Sequence, residues 1–312
     1  MNLISQQAKV LLQSQLEEWE LAKINYEALA GVESKEFSFG EFIVKVQFNP
    51  ARIQSSAAKV DTQSIQERKC FLCPNNLPAV QKGIPFGENY QVLVNPFPIF
   101  PKHYTIPTYE HTDQLILDRY SDMLDLAKEL DECTIFYNGP KCGASAPDHA
   151  HFQAGSKGFL PLESDMKTIT KDLIYKTNGL NVYAINSYLR NSFLLEAENK
   201  EDVVIFFKQL YSLMELKGDD KEPMMNIVTW YESDKWYSWV LPREIHRPAC
   251  FYAEGDDNIL ISPASVDLGG VFITPLEKDF RKITAVDISH ILKEVCISDD
   301  KMQSIINDIK KL

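Results

Sequence analysis

Apolar positions recur at three- and four-residue steps near the start of the chain. Leu12, Leu16, Trp19, Ala22, Tyr26 and Leu29 share a helical face, which predicts a helix over 3–30 ending near Gly31. It reads as a docking helix with no chemistry of its own. The period then shortens to two. Phe37 and Phe39, a Gly40-Glu41 turn, then Phe42, Val44, Val46 and Phe48 predict a β-hairpin over 36–48. Residues 49–69 are polar and aperiodic, a loop in which Arg52, Ser55 and Ser56 are either phosphate contacts or simply solvated. Residues 90–107 predict two short strands around a proline-rich turn, 113–133 a helix, and 134–137 a strand.

The same order returns further on. Residues 181–196 read as strand, 201–216 as a helix bearing Val203, Phe207, Leu210 and Met214, and 225–231 and 236–241 as two more strands. This echo of residues 90–155 predicts a degenerate internal duplication. The second copy has Trp236-Tyr237-Ser238-Trp239 where the first has His149-Ala150-His151-Phe152-Gln153. The C-terminal third, with a helix over 285–295, shows no recognisable chemistry.

The histidine segment is where chemistry concentrates. On a strand, alternate side chains share a face, so His149, His151 and Gln153 are expected to point the same way. Asn138-Gly139 and Gly143-Ala144-Ser145 precede them, a turn-forming run whose N–H groups suit an anion. A neutral imidazole, with an ordinary pKa of about 6.5, is a competent nucleophile near pH 7. The bland alternative is a surface His-x-His pair or a fragment of a metal site. Downstream, Arg243, His246 and Arg247 form either a phosphate-neutralising cluster, Arg243 foremost, or a surface cluster on an exit loop.

Cys70-Phe71-Leu72-Cys73 is a CxxC followed by Pro74-Asn75-Asn76-Leu77-Pro78, which does not continue as the helix a redox pair requires. A structural zinc needs four N or S ligands and no second CxxC exists, so His111 and His149 complete the set Cys70, Cys73, His111, His149. The alternative is a pair of buried thiols without metal. Six cysteines in 312 residues do not make a disulfide scaffold. A net charge of −12 argues against nucleic acid or an anionic membrane as partner. With no basic-then-apolar leader and no long apolar run, a cytoplasmic protein is expected.

Three stretches resemble the histidine-triad superfamily, in the branch of galactose-1-phosphate uridylyltransferase, diadenosine tetraphosphate phosphorylase and the GDP-hexose phosphorylases. They are Asn138–Gly139 through Gly143-Ala144-Ser145 to His149-Ala150-His151-Phe152-Gln153, Asn95-Pro96-Phe97-Pro98-Ile99-Phe100-Pro101-Lys102-His103, and Met225 through Arg243. The resemblance covers roughly 36–248. It implies an α+β fold of antiparallel sheets flanked by helices, with His151 as nucleophile and Gln153 on a phosphate oxygen. It also implies a nucleotidyl-histidine intermediate and a Cys-Cys-His-His zinc at the four positions above. Asn138, Gly143, Ala144, Ser145, Arg52 and Arg243 are the nucleotide and phosphate candidates. The substrate class is a nucleoside diphosphate sugar or dinucleoside polyphosphate, with phosphate or a sugar phosphate as acceptor. Relatives commonly form homodimers, a further expectation here.

Gln153 replaces the third histidine of the hydrolase branch, which favours transfer over hydrolysis. Hydrolysis, or nucleotide binding without catalysis, are the alternatives. Asp148 departs from the branch, since a carboxylate beside a phosphate is unfavourable unless it turns away. The expected organisation is a docking helix over 1–35, a catalytic half over 36–160, a degenerate half over 161–250 and an extension over 251–312.

Overall fold

A computed structural model describes residues 2–53 and 62–312. Ser55 and Ser56 lie outside the described residues. The strands are β1 (Glu33–Ser38), β2 (Ile43–Phe48), β3 (Gly83–Phe86), β4 (Tyr90–Val94), β5 (His103–Pro107), β6 (Cys133–Asn138) and β7 (His151–Ser156). The second half adds β8 (Asp172–Lys176), β9 (Leu180–Ile185), β10 (Ser192–Ala197), β11 (Met225–Glu232), β12 (Lys235–Pro242) and β13 (Val271–Thr274).

Ten of these form one antiparallel sheet in the order β3-β4-β5-β7-β6-β11-β12-β10-β9-β8. Outward from its centre the sheet reads β6-β7-β5-β4-β3 on one side and β11-β12-β10-β9-β8 on the other. Each half runs three strands, a helix and two strands, with helices Tyr120–Glu129 and Lys200–Leu213 in matching places. The halves meet where β6 pairs antiparallel with β11, from Asn138 opposite Asn226 to Ile135 opposite Thr229. This is the arrangement an internal duplication about a pseudo-twofold axis produces.

Alternation along the strands sorts the two faces. Phe152 and Ala154 of β7, with Ile135, Tyr137, Ile227 and Val240, face a core covered by helices that include Leu3–Glu18 and Asp299–Ile309. Phe136, Val228, Trp230, Trp239 and Leu241 face the other way, toward β2, β13 and the helix Ala285–Val295. β1 and β2 form the expected hairpin, but their sheet is separate, and β13 joins β2 in parallel. The C-terminal region is thus woven back onto the N-terminal hairpin.

Two helices differ from the sequence pattern. The first breaks at Trp19, which is extended (φ −114°, ψ 97°) between Leu3–Glu18 and Glu20–Ala28. The break lets buried Trp19 line a cleft, so this region is more than a docking element. The helix expected over 113–133 is confined to Tyr120–Glu129. Residues before it stay irregular because Gln114 and the Ile116 N–H bond across the chain instead.

Candidate active site

β7 begins at His151, where β6 and β7 separate. Their register runs from Cys133 opposite Ser156 to Phe136 opposite Gln153. Beyond that, Gln114 stands between the strands. Its Oε1 accepts the His151 N–H at 2.7 Å, and its Nε2 donates to the carbonyls of His151 (2.9 Å) and Asn138 (3.0 Å). One side chain thereby supplies the hydrogen bonds a strand partner would have made, while the strand ends stay open for residues 139–150. The His151 ring donates from Nδ1 to the His149 carbonyl at 2.8 Å. That bond leaves Nε2 unprotonated, and among the described residues it has no protein partner. Burial pushes the His151 pKa down to about 4 against the opposing hydrogen bond to the His149 carbonyl, so the ring is neutral at pH 7.

Gln153 follows on the same face. His103 Nδ1 accepts the Ile99 N–H at 3.2 Å, so its Nε2 carries the proton and donates to Gln153 Oε1 at 3.0 Å. The Gln153 NH2 is therefore the end left to meet a ligand oxygen. Burial and the nearby Arg52 hold the His103 pKa down to about 3, which keeps this tautomer neutral. His151 and Gln153 floor a cleft of about 440 Å³ whose walls include Trp19, Phe71, Leu72, Pro78 and Phe97. These are flat or apolar groups suited to a nucleobase.

His149 does not share that face. It precedes the strand in the loop, and its ring turns to Cys70, Cys73 and His111. The reason is its other nitrogen: Nε2 donates to the Thr108 carbonyl at 2.8 Å, which leaves Nδ1 bare toward the sulfurs. Cys70 Sγ lies 3.3 Å from His149 Nδ1, and Cys73 Sγ lies 3.2 Å from His111 Nδ1 and 3.6 Å from His149 Nδ1. All four ligand atoms lie within 4.8 Å of one another. Tetrahedral Zn–S and Zn–N bonds of about 2.3 and 2.1 Å give edges near 3.6 Å, so the set fits a closed metal site. Asp148 turns away from the cleft, 3.3 Å from Arg68 and 3.5 Å from His111 Nε2.

The turn at 143–145 separates the cleft from a second, smaller chamber. Gly143, Ala144, Ser145, Asn138 and Arg52 all border that chamber. Gly143 has φ +94°, and a Cβ there would lie 2.5 Å from the Ala264 Cβ, so both its conformation and its neighbour require glycine. Asn138 is buried, and its Oδ1 accepts from Asn226 Nδ2 and the Ser265 N–H, both at 2.9 Å. Arg243 does not reach either space. It is 2% exposed, and its five N–H groups go to Val295 O, Asn226 Oδ1, Pro263 O, Ile245 O and His246 O. No donor remains for a phosphate, so Arg243 ties the end of β12 to the C-terminal region. Its neighbours His246 and Arg247 line the second chamber instead, opposite Ser262.

Sequence reading therefore missed Gln114, the role of His103, Arg68 and the contribution of residues 262–267. Only His103 carried a signal, as the last residue of the Asn95–His103 motif. The C-terminal third, read as devoid of chemistry, walls the second chamber.

Comparison with known proteins follows this division. Residues 11–156 match a family described as Domain of unknown function (DUF4922), and residues 164–312 match GDPGP1-like, C-terminal domain. No curated protein matches the sequence. The crystal structure of yeast Ap4A phosphorylase Apa2 superposes with a TM-score of 0.57 at 16% identity, covering 89% of this chain and 96% of that one. The same yeast enzyme in complex with Ap4A gives 0.54 at 16% identity, covering 90% and 97%. The shared feature is the fold, over nearly the whole of both chains.

Proposed function

We propose that this protein is an enzyme of the phosphorylase and nucleotidyltransferase branch of the histidine-triad superfamily that transfers a nucleotidyl group through His151, a reading supported by the GDPGP1-like domain match and the fold shared with the yeast phosphorylase. The donor is a nucleoside diphosphate sugar or a dinucleoside polyphosphate, and the acceptor is phosphate or a sugar phosphate. The observation that carries this reading is the His151 ring: Nδ1 is locked to the His149 carbonyl and Nε2 is bare at the floor of the cleft. Support for the donor comes from the match to the GDPGP1-like domain and from the fold shared with a phosphorylase seen in complex with Ap4A.

The nucleoside occupies the cleft with its α-phosphate over His151. The Nε2 lone pair attacks phosphorus as the P–O bond to the leaving phosphate breaks, and the electron pair departs on that oxygen. The positive charge gained by the ring is shared through Nδ1–H with the His149 carbonyl. Gln153 NH2 and the turn N–H groups meet charge building on the equatorial oxygens. The acceptor oxygen then attacks, and the N–P pair returns to Nε2. Cys70, Cys73, His111 and His149 would hold a zinc ion, which would add structural rigidity to the loop that bears the carbonyl.

Intact-protein mass after incubation with GDP-glucose, UDP-glucose or Ap4A, with no acceptor, tests the reading. The expected result is one added nucleoside monophosphate, absent in His151→Ala and discharged by phosphate or a sugar phosphate. No adduct from any donor on a folded, zinc-loaded chain would sink it.

A further inference from the structure

Asp148 departs from the pattern that the rest of the histidine segment resembles, and the fold gives it two partners. Its Oδ2 faces His111 Nε2 at 3.5 Å, and its Oδ1 accepts from Arg68 Nη2 at 3.3 Å. The same Arg68 nitrogen donates to the Ser145 carbonyl at 2.9 Å. Ser145 ends the turn at 143–145 and borders both the cleft and the second chamber. The arrangement at His111 parallels that at His149. Each ring turns Nδ1 to the cysteines and Nε2 to an oxygen, the Thr108 carbonyl for His149 and the Asp148 carboxylate for His111. A carboxylate on the far nitrogen of a ligating imidazole fixes its tautomer and orientation. His111 has the greater need of that hold, because its side chain is 47% exposed whereas His149 is buried. Arg68 is placed by its position two residues before Cys70 and by the Phe71 ring, 5.0 Å from its guanidinium. Cluster and turn are thus joined, away from His151, through His111, Asp148 and Arg68.

We propose that Asp148 and Arg68 are positioning residues for nucleotidyl transfer, which together hold the turn at Ser145 in register with the Cys–His cluster. The proposal rests on the nucleotidyl-transfer reading. A turn that meets charge on phosphate oxygens must point its N–H groups inward and its carbonyls away. Arg68 draws the Ser145 carbonyl to itself and so sets the orientation of that peptide. Its cation also offsets the Asp148 charge, which would otherwise repel a phosphate beside the histidine segment. Asp148 in turn supplies the second of the two contacts that order the long Arg68 side chain, and those contacts must offset its rotamer entropy. The carboxylate is therefore useful where it first looks harmful. An unpaired carboxylate near the cleft would slow attack on phosphorus, and its neutralisation would speed the reaction. A carboxylate that holds His111 on one side and Arg68 on the other does the opposite. The two readings give opposite signs for the loss of its charge.

The test uses the full, zinc-loaded chain with two readouts. One is the rate of adduct formation by intact mass with GDP-glucose, UDP-glucose or Ap4A; the other is zinc retention in competition with a chelating dye. Asp148→Asn keeps the shape but serves both partners poorly, since an amide that accepts from Arg68 turns N–H groups toward His111. It is expected to weaken zinc binding about tenfold or more. It should also lower the maximal adduct rate about tenfold, with the half-saturating donor concentration within about threefold. Arg68→Met should lower the rate by a similar factor. Arg68→Lys, whose ammonium can meet both acceptors from one nitrogen as Arg68 does, should recover most of that loss. The double variant Asp148→Asn with Arg68→Met should be no slower than the slower single, because the two act as one unit. Faster adduct formation in Asp148→Asn, unchanged rate and zinc retention in folded variants, or rate losses that multiply in the double variant overturn the proposal. If Asp148→Asn melts early, the arginine pair decides, and equal rates in Arg68→Met and Arg68→Lys overturn it. If the wild type forms no adduct, the transfer reading fails by itself. Zinc competition then judges the Asp148–His111 contact, and unchanged retention in Asp148→Asn overturns that as well.

Discussion

At the residue scale, single protons set the chemistry. The Ile99 N–H dictates the His103 tautomer, and His103 dictates which end of Gln153 faces the ligand. Gln153→Glu replaces the inward NH2 donor with a carboxylate opposite a phosphate. The rate of adduct formation, followed by intact mass, should fall by about a hundredfold or more. Glu222 is a second case. It is buried, its Oε1 accepting the Tyr137 hydroxyl at 2.5 Å and its Oε2 the Ile116 N–H at 2.9 Å. Burial raises its pKa from 4.5 to about 7. The folded chain thus holds this proton more tightly than the unfolded one. Its contribution favours the folded state most below pH 4.5, is lost as pH rises to about 7, and is level beyond. The gap corresponds to roughly 3 kcal/mol. Urea midpoints should show a decline between pH 5 and 8 that Glu222→Gln flattens, even though the amide loses one acceptor. The resemblance pointed to Gln153, but neither its orientation by His103 nor the place of Glu222 was legible in the sequence. A hydrogen bond between residues 114 and 151, or 103 and 153, exists only once the strands are side by side. Arg243 and Arg247 make the same point, since the chain places them four residues apart and the fold buries one and presents the other.

At the element scale, the decisive feature is the place where β7 starts. The alternation His149, His151, Gln153 suggested one strand with three aligned side chains, and that holds from His151 onward. His149 belongs to the preceding loop, where its ring serves the cysteine pair and its carbonyl serves His151. The link between the Cys–His cluster and His151 is therefore one carbonyl, not a shared strand face. Gln114 fixes the other side of the same peptide. Gln114→Leu would leave the His151 N–H, the His151 carbonyl and the Asn138 carbonyl without it. We expect a stability loss of about 2–4 kcal/mol in denaturant titrations and an adduct rate lower by about tenfold or more from misplacement of the ring. Gln114→Glu keeps the acceptor and loses the donor, so its rate should fall between the two. A purely structural role would move stability and leave the rate of the surviving folded fraction unchanged.

At the scale of the whole molecule, one duplicated plan has produced one equipped end. In the first half, β6 and β7 are joined by residues 139–150, which carry the turn at 143–145 and His149 of the Cys–His cluster. In the second, β11 and β12 are joined by Ser233 and Asp234 alone, with φ of 52° and 60°, as a tight hairpin requires. That half has no room for the same equipment. It stabilises the sheet through Trp230 and Trp239, and the chain beyond it returns to wall the second chamber beside the first half's cleft. Metal loss should act through this architecture. Cys70→Ser is expected to lower zinc content by atomic absorption and to reduce adduct yield in proportion, because His149 then loses its anchor. Full adduct yield in a metal-free protein would separate the cluster from catalysis.

The sequence by itself determined the local terms: the hairpin at the start, the helix at 285–295, the strand–helix–strand order of each half, the CxxC with its two histidines, and a histidine segment preceded by a glycine turn. These follow from hydrophobic period, glycine and proline placement, and ligand counting, all of which act between near neighbours in the chain. Only the tertiary structure decided which imidazole faces the cleft, which arginine lines the second chamber, and that residues from 246–267 border it. Those outcomes depend on hydrogen-bond partners a hundred residues away in sequence, as when Ser265 bonds the Asn138 side chain. A buried polar group must find such a partner wherever the fold supplies one, and no periodicity records where that will be.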